Sequence, residues 1–177
     1  MEVQTYTAIK ELFRKIIEEN ITGDALKWLS EKAIQSSDTN NNYQLNLSFT
    51  AIPRKTGKKE VVMDEVDREK ITNLLPGFSI HLWTIDRLCR VWLLMQLESD
   101  QKESYISRIE QLFLQAEMNE QVALYSSLPF LSYPDAWKWR CAEGIRCNIG
   151  TVLEAIMYFN PYPAEHLDEP AWNQLVM

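Results

Sequence analysis

Apolar residues recur at helical spacing from the start of the chain. Ala8, Ile9, Leu12, Phe13, Ile16 and Ile17 follow at steps of one, three and four, with Lys10, Glu11, Arg14, Lys15, Glu18 and Glu19 on the other face. That pattern predicts an amphipathic helix. A second follows, capped by Thr22 or Asp24, with Ala25, Leu26, Trp28, Leu29, Ala33 and Ile34 as its apolar stripe. In "YQLNLSFTAIP" strand-like alternation competes with two helical readings, one through Tyr43, Leu47 and Ala51 and one through Leu45, Phe49 and Ile52. A lone strand has nothing to pair with, so a helix is expected, closed by Pro53.

Val66, Ile71 and Leu74 predict a short helix ending at "LLPG". "SIHLWTIDRLCRVWLLMQLESD" is apolar on almost every side, which predicts a central, buried helix. Asp86 and Arg90 stand four apart within it, hence on one face. Asp100 and Glu103 resemble a capping pair for the next helix, which buries Tyr105, Ile109, Leu112 and Phe113. "EMNEQVALYSSLPF" gives another helix, stopped by Pro129, and Pro134 opens the one after it. Asn148 can cap "IGTVLEAIMYF", whose core face is Ile149, Val152, Leu153, Ile156 and Phe159. Glu169 and Pro170 open a last helix, with Trp172 and Val176 on its apolar face.

The expected fold is therefore all-α, with about eight or nine helices in antiparallel pairs. Helix length and order suggest a HEAT-like α-solenoid of roughly 40-residue hairpins, with a compact irregular bundle as the alternative. A length of 177 residues predicts one domain spanning residues 1–177.

Composition narrows the function. Net charge is -7, against the positive surface a nucleic-acid partner requires, so no nucleic acid is expected. "MEVQTYTAIKELFRKIIEEN" is charged and lacks an apolar leader region, and "CRVWLLMQL" is too short to span a bilayer. Cys89, Cys141 and Cys147 form no CxxC pair, which suits buried thiols in a reducing cytoplasm. Only His81 and His166 are present, neither at metal-ligand spacing, and no HExxH, GxGxxG, P-loop or GxSxG occurs. No metal, no cofactor and no catalytic residue is expected from these motifs, and binding is favoured over turnover.

Asp86, Arg87, Arg90, Arg146, Asn148 and Glu154 are polar residues on apolar helices. They can form internal ion pairs and caps, since a buried charge needs a partner. Alternatively, the arginines can hold a carboxylate or phosphate of a metabolite. In "NPYP" two prolines make a stiff elbow, and Tyr162 either plugs the gap between helices or contacts a ligand. Candidate binding residues are thus Arg87, Arg90, Arg146, Asn148 and Tyr162. Trp137 and Trp139 are two apart and cannot share a helix face, so one should meet a groove or a partner.

Four stretches carry a resemblance: "PRKTGK" (53–58), "PGFSIHLWTIDRLCRVWLL" (76–94), "EQVALYSSLPFL" (120–131) and "IRCNIGTVLEAIMYFNPYPAEHLDEPAWNQLV" (145–176). In them the chain resembles the EboA family. The resemblance implies a role in metabolite traffic beside other Ebo cluster proteins, among them a prenyltransferase-like membrane protein. It implies no reaction and no catalytic residues. Family members usually continue past the "WNQ" stretch with a short apolar and basic tail, so a tail beyond Met177 is expected. The leading functional expectation is a helical scaffold or adaptor, docking other cluster proteins or a basic cytoplasmic loop of the membrane member. A carrier or sensor of a hydrophobic or prenylated metabolite is the alternative, and an enzyme the third reading.

Overall fold

The computed structural model describes the backbone of residues 1–177 and every side chain except those of residues 175 and 176. It contains α-helices and no strand among the described residues. In order these are α1 (Val3–Asn20), α2 (Gly23–Ser37), α3 (Asn42–Thr56), α4 (Glu65–Leu74), α5 (Ile85–Leu94), α6 (Lys102–Gln115), α7 (Met118–Ser126), α8 (Lys138–Arg146), α9 (Gly150–Met157), α10 (Tyr162–His166) and α11 (Glu169–Val176). Short 3-10 turns lie at Leu128–Phe130 and Pro134–Trp137. The expected all-α class holds, but the helix count is eleven instead of eight or nine. The excess includes the one-turn α10, too short to leave a periodic signal.

Helix α5 is the hub. Nine of its ten residues are buried, Arg87 being the exception, and it packs against α1, α3 and α7. Helices α3, α5, α7 and α9 form a row in which each packs on the next, while α1 crosses to α4 and α5. Between them Phe13, Phe78, Phe130 and Trp83 meet edge to face or tilted, at centroid distances of 5.0–6.2 Å. Such aromatic contacts add directionality to an otherwise non-directional core.

The ambiguous third segment is a helix, and of its two helical faces Leu45, Phe49 and Ile52 are buried while Tyr43 and Leu47 are exposed. Pro53 does not close it. The helix runs on to Thr56 and ends at Gly57, which takes φ 78° and donates its N–H to the Pro53 carbonyl at 3.0 Å. A proline inside a helix leaves the carbonyl four residues back without its donor. That carbonyl belongs to Phe49, and Arg90 Nε donates to it at 2.9 Å.

The long apolar helix expected over residues 79–100 is shorter than its pattern. Its first residues are held out of helical geometry by an extended segment. Glu60 and Thr84 form an isolated β-bridge, Val61 N–H donates to the Trp83 carbonyl at 2.8 Å, and Ile85 N–H donates to the Lys59 carbonyl at 2.7 Å. Thr22 caps α2 and Asp168 caps α11. Gln101, not Asp100, precedes α6, and no side chain caps that helix. Trp172 is partly exposed on α11, and the expected apolar position of Val176 lies outside the described residues. Among the described residues no helix is long and apolar enough to cross a membrane.

Candidate functional site: a cleft at the start of three helices

Local backbone geometry builds the site. After Gly57 turns the chain, Lys58 enters the extended stretch that pairs with residues 83–85. Leu82 is forced to φ 61° beside this pairing. Across from it the chain leaves α9 through Phe159 at φ 55°, whose carbonyl accepts from Ser79 N–H at 3.3 Å. Left-handed backbone is costly for a leucine or a phenylalanine, and such strain gathers at functional sites. Leu82, Tyr158 and Phe159 are exposed, at 64%, 63% and 53%.

These segments enclose a cleft of about 340 Å³, also bordered by Trp83, Asp86, Arg87 and Glu154. Its volume falls in the range of small-molecule sites. Arg87 Nε donates to Ser126 Oγ at 2.9 Å, and its guanidinium carbon lies 4.4 Å from the Trp83 ring centroid. Two restraints of this kind fix the plane of the fork. No carboxylate lies within ion-pair distance of Arg87 among the described residues. Burial pushes its pKa down to about 10, while the charges of Asp86 and Glu154 act in the opposite direction, so the group stays cationic at neutral pH.

Arg90, three residues along, is differently placed. It is 3% exposed, with Asp86 at 3.5 Å and Glu120 at 3.7 Å, and its guanidinium lies over the Phe49 ring. Burial lowers its pKa, and Glu120 and Asp86 partly restore it. Burial likewise raises the pKa of Glu120, against the pull of Arg90. The internal Asp86–Arg90 pair expected from the spacing is thus present, extended by Glu120 from α7.

The other candidates lie elsewhere. Arg146 is exposed, paired with Glu143, and borders a second cleft of about 310 Å³ between α8 and α11 that also takes in Trp139. Trp137 is fully buried and Trp139 is 59% exposed, so Trp139 is the tryptophan that meets a groove. Asn148 does not cap α9. Ile149 holds the cap position, and Asn148 sits exposed at φ 54° just past α8, a conformation asparagine tolerates better than most residues. Phe159 is not on the core face of α9, because the helix ends at Met157 and the chain turns at that residue.

Tyr162 is 1% exposed and its hydroxyl donates to the Pro134 carbonyl at 2.6 Å. Asn160 braces the elbow. Its Nδ2 donates to the carbonyls of Tyr125 and Ala155, each at 3.0 Å, and its Oδ1 accepts from Tyr162 N–H at 3.1 Å.

Burial raises the thiol pKa of Cys89 strongly and that of Cys141 to about 12, which holds both as neutral thiols. No group of three metal-ligating side chains converges among the described residues. A larger groove of about 770 Å³ runs from the start of α1 past Met95 to Tyr133, with Lys10 as its sole lysine or arginine. The sequence did not mark Leu82 or Tyr158, and it placed Phe159 on a core face, because nothing local marks a leucine or a phenylalanine for left-handed backbone.

The described residues thus form an all-helical protein with a cleft that is both charged and aromatic. Residues 9–177 match the family described as metabolite traffic protein EboA, and the chain belongs to that family. Membership associates it with metabolite traffic. No curated protein and no solved structure matches it.

Proposed function

We propose that this protein serves metabolite traffic by binding instead of turnover, and that a small metabolite sits in the cleft beside Arg87. Residues 1–177 act as one domain in the cytoplasm on this reading. The observation that carries it is Arg87 itself, held flat on Trp83 and by Ser126, without a carboxylate partner, at a cleft rimmed by Leu82, Tyr158 and Phe159. The carrier or sensor reading therefore stands ahead of the adaptor. The uncharged fluorophore N-phenyl-1-naphthylamine tests it. Binding should be saturable and should weaken in Leu82→Asn, which removes an apolar wall while suiting the left-handed backbone at φ 61°. Saturable binding indifferent to Leu82→Asn would remove the cleft as a ligand site.

A second reading, the adaptor, is supported by charge. Residues 151–177 contain Glu154, Glu165, Asp168 and Glu169, all exposed, and no lysine or arginine. Such a rim favours a basic partner surface, such as a cytoplasmic loop of the prenyltransferase-like membrane protein or another Ebo cluster protein. The row α3, α5, α7, α9 supports a solenoid-like, HEAT-like stacking that would present one continuous face. Pull-downs against each cluster protein at low and high salt, with Glu165, Asp168 and Glu169 neutralised together, test this docking. Binding that ignores both salt and the triple change would overturn it.

A further inference from the structure

We infer that the cleft recognises an amphiphilic anion. A carboxylate, phosphate or sulfonate is gripped by Arg87 where three helices begin, an adjacent N–H or O–H of the ligand meets Asp86, and the apolar body lies against Leu82, Tyr158 and Phe159. This deepens the cleft reading proposed above and rests on it.

Three sets of observations converge. The first is the cation. Nε of Arg87 is taken by Ser126, and the ring of Trp83 supports one face of the guanidinium. The outer edge of the fork is left for a planar, bidentate acceptor, the geometry a carboxylate or phosphate supplies. Lys58 adds a second positive charge to the lining. The second is the backbone. Thr84 just before α5 and Arg87 within it, Asn119 and Val122 of α7, and Thr151 and Glu154 of α9 all line the cleft, each pair three apart in the chain. These are the first turns of three helices, and no side chain caps any of them. Helix N-termini carry partial positive charge and first-turn N–H groups without partners in the helix.

The third is Asp86, which is 4% exposed and borders the cleft. Its Oδ2 faces Arg90, whereas its Oδ1 is buried with no hydrogen-bond partner. A buried carboxylate oxygen without a donor is costly. A turn of the Asp86 side chain toward the cleft would let a ligand N–H or O–H next to the anion satisfy it. The two buried carboxylates at these helix starts, Asp86 and Glu120, both face Arg90, whose single positive charge offsets one of the two before a ligand arrives. Glu154 is the exposed acid at the mouth, and it opposes an incoming anion.

The test compares two fluorophores sharing one skeleton and one N–H. 1-Anilinonaphthalene-8-sulfonate carries the anion, and N-phenyl-1-naphthylamine does not. The full chain should bind the sulfonate more tightly. Arg87→Gln should weaken the sulfonate about tenfold, well beyond any change for the neutral dye, and Arg87→Lys should recover part of the loss. Glu154→Gln, at an exposed position, should strengthen the sulfonate alone. Circular dichroism and melting establish that each variant is folded. If Arg87→Gln does not fold, Lys58→Gln at the exposed cation should still lower the affinity for the sulfonate selectively.

Equal affinity of the folded wild type for the two dyes would overturn the anion inference while leaving the cleft reading standing. Sulfonate binding indifferent to Arg87, Lys58 and Glu154 would do the same. Absence of binding by both dyes would sink the cleft reading itself.

Discussion

Arg90 supplies the hydrogen bond that Pro53 cannot. Pro53 lies inside α3 without an N–H, four residues past Phe49, and Arg90 Nε reaches from α5 to donate to the Phe49 carbonyl at 2.9 Å. The same guanidinium faces Asp86 and Glu120, so one buried cation joins α3, α5 and α7.

Arg90→Ala should cost about 3–5 kcal/mol, since it strands two buried carboxylates and a carbonyl. In a Pro53→Ala background the helix regains its own donor for Phe49. The cost of losing Arg90 should then fall by about 1 kcal/mol. A double-mutant cycle by urea unfolding measures the coupling. Strict additivity would mean that the Phe49 bond contributes nothing.

Asn160 holds the elbow through three hydrogen bonds, two donated and one accepted. Asn160→Ala should destabilise the fold by about 2 kcal/mol, because the Tyr125 and Ala155 carbonyls lose a donor. Binding of the neutral dye at saturating concentration should survive below the melting transition. An unchanged urea midpoint would show that the prolines alone fix the corner.

Gly144 faces Tyr125 and Ile156 so closely that an added Cβ would come within 2.6 Å of the tyrosine ring and 2.7 Å of Ile156 Cδ1. Alanine in a helix interior normally gains about 1 kcal/mol over glycine. Here overpacking between α8, α7 and α9 should outweigh that gain and leave Gly144→Ala less stable, within the usual overpacking cost of about 1–3 kcal/mol. Thermal melting decides the sign.

Lys15 of α1 donates to both carboxylate oxygens of fully buried Asp67 on α4, at 2.9 and 2.7 Å. That hydrogen bond is the main cause raising the lysine pKa above its ordinary 10.5, against a smaller desolvation effect. A folded-state pKa above the unfolded one contributes stability that is fully present below the unfolded value. It is lost as pH rises through the folded value. Lys15→Met should therefore lower the melting temperature at neutral pH, and the gap to wild type should close as pH climbs above 10.5. A gap that stayed constant into the alkaline range would exclude this linkage.

The sequence by itself determined the helices wherever one face was apolar and the other wet, as in α1, because burial of a stripe needs no knowledge of what covers it. It also determined that Asp86 and Arg90 share a face, since spacing of four is intrinsic to the helix. Pro53 defeated the same reasoning. Its cost depends on whether a donor reaches Phe49 from α5, and that donor lies far along the chain. The segment from Ser79 to Thr84 looked helical because its apolar residues suit a buried helix as well as a buried extended strand. A turn at His81 and Leu82, and pairing of residues 83–85 with 59–61, keep it out of the helix. Spacing gives Arg90, and not Arg87, a carboxylate on its own helix face, but it says nothing of what lies across from either. That came from the packing of α3 and α7 against α5. It brings Phe49 and Glu120 to Arg90, and Ser126 to an Arg87 that remains turned toward the cleft. A cleft built from the first turns of three helices exists only once those helices are packed, so no stretch of the sequence could contain it.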